Sequence, residues 1–172
     1  MLTVLIDVSA KLTVDHGVLV GVETDWTFDE AFSGLILGDY PNQGPYSATV
    51  TAAIKKDYFD NLKNFHYFSY FAVGKKALPV PPPQEFRATV SDDQVTFHFS
   101  FPLKVKLGAE GFSAAFYDDT YYTDMGFIKK DPVSAEVVGG GSASVSLRPN
   151  QAKAYFGGGV IPDYLYLAWT PP

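Results

Sequence analysis

The feature that most constrains the fold of this chain is a strict alternation of apolar and polar residues. From Leu2 to Val14 the even positions are all apolar, whereas most of the odd positions are polar. This period of two predicts a long β-strand with one buried face. Asp15-His16-Gly17 is a turn signal, and alternation resumes from Val18 to Phe28. The first part of the chain is therefore predicted to be a long β-hairpin.

The same alternation recurs later in the chain. Phe86 to Val90 and Val95 to Phe101 flank Asp92-Asp93 and predict a second hairpin. An aromatic strand is predicted from His66 to Val73, and further strands are expected over 112–117, 123–129, 133–138, 143–148 and 164–169. The chain holds 14 Phe and 11 Tyr, which favours sheet. We expect a mainly β (α+β) fold, an antiparallel β-sandwich with two inserted helices, as a single domain over 1–172.

Two helices are predicted between the hairpins. Thr27 followed by Glu30 matches a capping box and predicts a helix over about 29–37 with Thr27 as its cap. Ser47 is a candidate cap for a second helix that reaches about Phe65. The stripe Ile54, Tyr58, Leu62 and Phe65 has helical spacing, so we expect it to pack against the sheet.

The composition excludes several classes of function for this chain. The formal net charge is −6 and the pI is near 4.9, which argues against a nucleic-acid partner. No apolar run approaches the ~20 residues of a membrane span. With no Cys, thiolate metal sites and Cys nucleophiles are excluded.

The histidines and carboxylates of the chain allow one further hypothesis, a metal-binding site. A zinc or nickel site would need His66 and His98 to approach Asp118, a convergence that their spacing does not demand. We expect any affinity of this chain for Zn²⁺ or Ni²⁺ to be no better than micromolar, and no other cofactor is indicated. Carboxylates also cluster in two groups that could serve a hydrolase if they met in one cleft: Asp25, Asp29 and Glu30, and Asp118, Asp119 and Asp124.

Several stretches together resemble one bacterial family of unknown function, the exported periplasmic components of uncharacterised ABC-type transport systems. The most specific stretch is WxFDExFS, which places Trp26, Phe28, Asp29, Glu30, Phe32 and Ser33 in this sequence. Weaker matches in the same order and spacing are Ile6-Asp7-Val8, Asn61-Leu62 to Phe65, Tyr67-Phe68, Gly74-Lys75, 95–103, Tyr117-Asp118 and Thr120-Tyr121-Tyr122.

The resemblance implies export to the periplasm and a role beside nickel-, cobalt- or zinc-type permeases. Family members usually begin their mature chain with His-Pro-His, where this sequence has Met1, Leu2 and Thr3. Our first hypothesis is a non-enzymatic accessory or binding protein of a bacterial metal-ion transport system, with a membrane permease as partner. The alternative is a β-rich interaction or structural module without a small-molecule site. A carboxylate-dependent enzyme is the third.

Overall fold

Two β-sheets, stacked face to face, form the frame of this protein. The computed structural model describes residues 3–42 and 44–172, so Met1 and Leu2, the first two of the three positions compared with His-Pro-His, lie outside the described residues. In chain order the elements are β1 (Val4–Asp15), β2 (Val18–Phe28), α1 (Glu30–Asp39), α2 (Ala48–Tyr58), a 3-10 segment (Asp60–Phe68), β3 (Ser69–Val73), β4 (Lys76–Leu78), β5 (Gln84–Ser91), β6 (Gln94–Lys106), β7 (Phe112–Phe116), β8 (Thr123–Phe127), β9 (Val133–Val138), β10 (Ser142–Pro149), a 3-10 turn (Gln151–Lys153) and β11 (Asp163–Thr170).

Sheet I has the order β5-β6-β2-β1-β8, and β9 extends β8 along the second half of β1. The two predicted hairpins are present and lie side by side through the antiparallel β2/β6 pairing. However, β8 and β9 both run parallel to β1, so this sheet is mixed within a mainly antiparallel fold. Alternation fixes which face is buried but not strand direction. Strand β8 follows β7 of sheet II and is therefore free of the hairpin constraint that forces antiparallel pairing, and β9 continues along β1 in the same direction.

Sheet II has the order β10-β11-β7-β3-β4, and its pairings are all antiparallel. Its inner residues meet those of sheet I in one apolar core, for example where Phe71 of β3 packs edge-on against Phe101 of β6 at 5.2 Å between ring centroids. The predicted β-rich fold with two sheets is confirmed.

The helical segments cover a part of the inner face of sheet I. Phe28 of β2 lies 4.9 Å from Phe32 of α1, and Phe99 of β6 lies 4.7 Å from the buried Phe59 that follows α2. Phe28 and Phe99 are thus covered by the helical segments, whereas Phe101 of β6 is covered by Phe71 of sheet II. Among the helices of the described residues, none has the length and apolar character needed to cross a membrane.

The helix boundaries differ from two predictions. The first helix begins at Glu30 and is capped by Asp29, because Thr27 is still part of β2 and its hydroxyl bonds to Thr96 at 2.8 Å. Ser47 caps the second helix as predicted, but that helix ends at Tyr58 rather than Phe65. The buried Phe59 turns the chain into the core and leaves Phe65 46% exposed, so the predicted stripe breaks at its end.

A left-handed turn delivers the chain to sheet II. His66, Tyr67 and Phe68 have φ values of 44°, 55° and 52°, a conformation that costs about 1–2 kcal/mol per non-glycine residue. The stacking of Tyr67 on Phe59 at 5.4 Å and of Phe68 on Trp26 at 6.3 Å holds this turn in place. Strand β3 therefore begins at Ser69, three residues later than predicted.

Candidate functional site: a hollow on the outer face of sheet II

The WxFDExFS stretch joins β2 to α1. Asp29 accepts the Phe32 N–H through Oδ1 at 2.7 Å and the Leu5 N–H through Oδ2 at 2.8 Å, so one carboxylate fixes both the helix start and the first strand. The buried Ser33 hydroxyl donates to the Phe28 carbonyl at 3.3 Å. Trp26 and Phe28 are buried, whereas Glu30 is exposed. Trp26, Phe28, Asp29 and Ser33, in the most specific part of the family motif, thus have structural roles in the core and at the helix start.

The family-motif residues Tyr121 and Tyr122 lie in the turn just before β8. Tyr121 has a φ of 58°, packs against Phe156 at 5.1 Å and donates to Asp124 Oδ2 at 3.3 Å. Tyr122 is 60% exposed.

The two histidines of the metal hypothesis lie on opposite outer faces of the sandwich. His98 is on the outer face of sheet I, where Nδ1 contacts Asp25 Oδ1 and Nε2 contacts Thr89 Oγ1, each at 2.7 Å. His66 lies beside the outer face of sheet II, with Nδ1 at 3.0 Å from the Ser69 carbonyl. The structure does not bring these two side chains together.

Asp118 is buried and organises the turn before β8. Its Oδ1 accepts the Thr120 N–H at 3.0 Å and the Thr120 hydroxyl at 2.6 Å, and its Oδ2 accepts the Thr123 N–H at 3.1 Å. Within residues 3–42 and 44–172, no three His, Asp or Glu side chains form a group that could hold a metal ion. His66, His98 and Asp118 are therefore not assembled into one site.

A concave surface on the outer face of sheet II, which the sequence did not reveal, combines several features of a binding site. Ala72 of β3, Ala77 of β4 and Ser113 of β7 are small, and Tyr70 and Tyr164 stand beside them. Because these small side chains lie next to the large tyrosine side chains, the surface has a depression of about 650 Å³, which we call the sheet II hollow. It is lined by His66, Ser69, Tyr70, Phe71, Ala72, Gly74, Lys75, Ala77, Leu78, Pro79, Val80, Ser113, Asn150, Ala152, Lys153 and Tyr164.

The charged groups that line this hollow are of one sign, and the Glu110 carboxylate lies beside Gly74 at its edge. Lys75 and Lys153 line it together with His66, and no Asp or Glu is found among its described lining residues. Both lysines are exposed, so their ammonium groups are hydrated and accessible. In a chain with a net charge of −6, this is a local reversal of charge.

A tyrosine cluster forms one wall. Tyr70 stacks on Tyr117 at 4.1 Å with an interplanar angle of 9°, and Tyr117 stacks on Tyr155 at 5.1 Å and 14°. The Tyr164 hydroxyl lies 3.2 Å from that of Tyr117. We use "tyrosine cluster" for Tyr70, Tyr117, Tyr155 and Tyr164. The cluster covers part of the outer face of sheet II, next to the hollow.

Burial keeps these phenols neutral. It raises the pKa of Tyr70 and that of Tyr155 to about 12 each, because the charged phenolate would lose hydration, and nearby Asp119 and Asp124 respectively add repulsion. For the same reason burial raises the pKa of Tyr164 and, more strongly, that of Tyr117. Each hydroxyl is thus a hydrogen-bond donor over the whole physiological range.

A smaller hollow of about 250 Å³ adjoins the first and shares Gly74 and Ser113 with it. It is lined by Ser144, Ser146 and Arg148 of β10 and by Glu110. The Arg148 guanidinium lies 4.0 Å from the centroid of the Tyr166 ring, a cation–π contact that fixes it over the sheet. Polar groups and charges of both signs, Arg148 and Glu110, thus lie beyond the sheet II hollow.

The fold and this surface define a β-sandwich protein with two inserted helices and an aromatic, cation-bearing hollow on one outer face. The chain belongs to the family described as protein of unknown function (DUF1007), whose model matches residues 4–156.

Two curated relatives are similar over most of the chain. An uncharacterized 15.5 kDa protein in the trpE 3′ region of Spirochaeta aurantia is 42% identical over 134 residues, which cover 77% of this chain and 96% of that protein. An uncharacterized protein of Haemophilus influenzae (strain ATCC 51907 / DSM 11121 / KW20 / Rd) is 27% identical over 149 residues, covering 84% and 71% respectively.

Proposed function

We propose that this chain is a non-enzymatic, exported binding protein that serves a bacterial metal-ion transport system, and that the sheet II hollow is its ligand-binding surface. The transport context rests on the sequence resemblance, and the periplasmic location is part of the same proposal. The observation that carries the binding role is the hollow itself, with small residues at its base, tyrosines at its side and lysines beside it. Its volume of about 650 Å³ falls in the range of small-molecule sites, roughly 300–1,000 Å³.

Binding rather than catalysis fits the chemistry of the hollow. Its tyrosines are held neutral and are therefore poor bases and nucleophiles, and His66 Nδ1 is engaged by the Ser69 carbonyl. Donors and aromatic faces can position a ligand without transforming it. The permease, as the expected partner, would receive the loaded protein or its ligand.

The transport role is tested in cells. A strain that lacks the gene should contain less nickel, cobalt or zinc than its parent when grown in metal-limited medium, as measured by mass spectrometry. The intact gene should restore the content, and Ala77→Trp, which fills the hollow from an exposed position, should not. Ser134→Ala, an exposed substitution on β9, is the control that should restore it. Unchanged content of all three metals in the deletion strain would refute the transport role.

The interaction-module alternative is favoured by an exposed aromatic patch outside the hollow. Phe156 is 63% exposed and contacts Tyr121, and Tyr122 beside it is 60% exposed. Large exposed apolar groups of this kind mark protein contacts. If Phe156→Ser abolished complementation while Ala77→Trp did not, this patch rather than the hollow would be the functional surface.

A further inference from the structure

We propose that the ligand of the sheet II hollow is a small organic anion with a flat or apolar body, which lies against Tyr70 and Tyr164 with its negative group towards Lys75 and Lys153. This inference deepens the proposed function and rests on it for the claim that the protein works by binding. It concerns the ligand's chemistry, which neither the family nor its relatives indicate.

Charge complementarity is the first argument. The chain carries 19 acidic and 13 basic residues, so a surface patch chosen at random would more often be negative. The described lining of this hollow instead presents Lys75 and Lys153 and no carboxylate, and Glu110 and Asp119 lie outside that lining. Such a focus of one sign attracts the opposite charge and repels a free metal cation.

The apolar body is required by the other lining groups. Ala72 and Ala77 offer methyl groups, and Leu78, Pro79 and Val80 form an aliphatic side. A fully hydrated inorganic anion would gain nothing from these contacts, whereas an aromatic or aliphatic body gains roughly 25 cal/mol for each Å² that it buries. The ring of Tyr70, stacked on Tyr117, is fixed in orientation and needs no ordering on binding.

The tyrosine hydroxyls complete the recognition of an anion. Tyr164 lines the hollow, and its phenol is protonated at physiological pH, so its hydroxyl is available to donate a hydrogen bond to a carboxylate or sulfonate oxygen. A neutral donor in a partly desolvated place binds an anion more strongly than it binds water.

The test uses two fluorescent probes with nearly the same aromatic body. Anilinonaphthalene sulfonate is anionic and N-phenylnaphthylamine is neutral, and the Kd of each is measured with the purified full chain at about 0.15 M salt, where charges are screened beyond roughly 8 Å. The double variant Lys75→Glu/Lys153→Glu is compared with Lys104→Glu/Lys106→Glu, which makes the same change of net charge at exposed positions of sheet I. Ala77→Trp is measured as the variant that fills the hollow.

We expect the hollow variant to weaken binding of the anionic probe by roughly tenfold or more and the sheet I variant by less than about twofold, because ion pairing is short-ranged in salt solution. Binding of the neutral probe should change less than about twofold in both double variants, whereas Ala77→Trp should weaken both probes. Equal effects of the two double variants on the anionic probe, or no effect of either, would overturn the proposal.

The two proposals can fail separately. Unchanged cellular metal content together with lysine-dependent probe binding would remove the transport role and keep the ligand class. If the deletion strain lost metal content but the double variant Lys75→Glu/Lys153→Glu bound the anionic probe as the parent does, the transport role would stand. The proposal that the ligand is an anion would then be overturned.

Discussion

The Ser33 hydroxyl oxygen accepts a hydrogen bond from the Val95 N–H at 2.9 Å, joining helix α1 to a residue of β6 that lies 62 positions later. The same hydroxyl donates to the Phe28 carbonyl. Ser33 is buried, so neither partner can turn to water instead. One small side chain therefore fastens the helical insertion onto sheet I.

Ser33→Ala should lower the free energy of unfolding by about 2 kcal/mol, because it leaves the buried Val95 N–H without its partner. Urea denaturation measures the loss. Ser134→Ala makes the same chemical change at an exposed strand position and should stay within about 0.5 kcal/mol of the parent. Equal losses in the two variants would contradict this role of Ser33.

The first helix should depend on Asp29 more than on Thr27. Asp29→Ala removes the cap and the bond to Leu5, and we expect a loss of about 2 kcal/mol. Thr27→Ala removes one cross-strand hydroxyl contact and should cost about 0.5–1 kcal/mol. Thermal unfolding followed by circular dichroism compares them, and a larger loss for Thr27→Ala would favour the capping role predicted from the sequence.

A glycine in the turn between β5 and β6 should stabilise the protein. Asp92 and Asp93 have φ values of 50° and 61°, and the β1/β2 turn has 50° and 77° at His16 and Gly17. Because glycine adopts this region without a steric penalty, Asp93→Gly should stabilise the protein by about 1 kcal/mol.

Ser91→Gly, two residues earlier in β5, is the matched control for this turn. It should destabilise by about 0.5–1 kcal/mol because glycine loses more entropy in a strand. A destabilising Asp93→Gly in chemical denaturation would show that the left-handed turn does not govern this hairpin.

Alkaline pH should weaken the fold through the tyrosine cluster. Tyr70 and Tyr155 have a pKa of about 12 when folded and an ordinary value near 10 when unfolded, so the folded chain holds their protons more tightly. Their contribution to stability is complete below about pH 10 and is lost as the pH rises towards about 12. Tyr70→Phe should make the unfolding free energy fall less steeply in this window, and an unchanged pH dependence would contradict the burial effect.

Much of sheet I could be predicted because its signal is local. Alternation in β1, β2, β5 and β6 identifies buried positions, and short turns fix which strands pair. The parallel neighbours β8 and β9 could not be predicted, since their place depends on a chain crossing between the sheets. The end of α2 was wrong because burial of Phe59 overrides a helical spacing that continues to Phe65.

The hollow escaped prediction because its residues come from separate elements of sheet II and the turn after β10. A signal was nevertheless present. Tyr70 alternates with the core residue Phe71, and Tyr164 and Tyr166 alternate with Leu165 and Leu167. Strands whose outward positions are aromatic indicate that both faces are covered, a pattern that strand prediction alone assigns to the core. The metal-site prediction for His66, His98 and Asp118 rests on side-chain type alone, and the fold places these residues apart.

The most direct test of the binding surface is a map of amide chemical shifts on titration with anilinonaphthalene sulfonate. The shift changes should concentrate at Ala72, Ala77, Ser113 and Tyr164, which line the hollow, and should be small at Asp25 on the outer face of sheet I. Changes spread evenly over both sheets, or concentrated around Asp25, would contradict the assignment of the sheet II hollow as the ligand-binding surface.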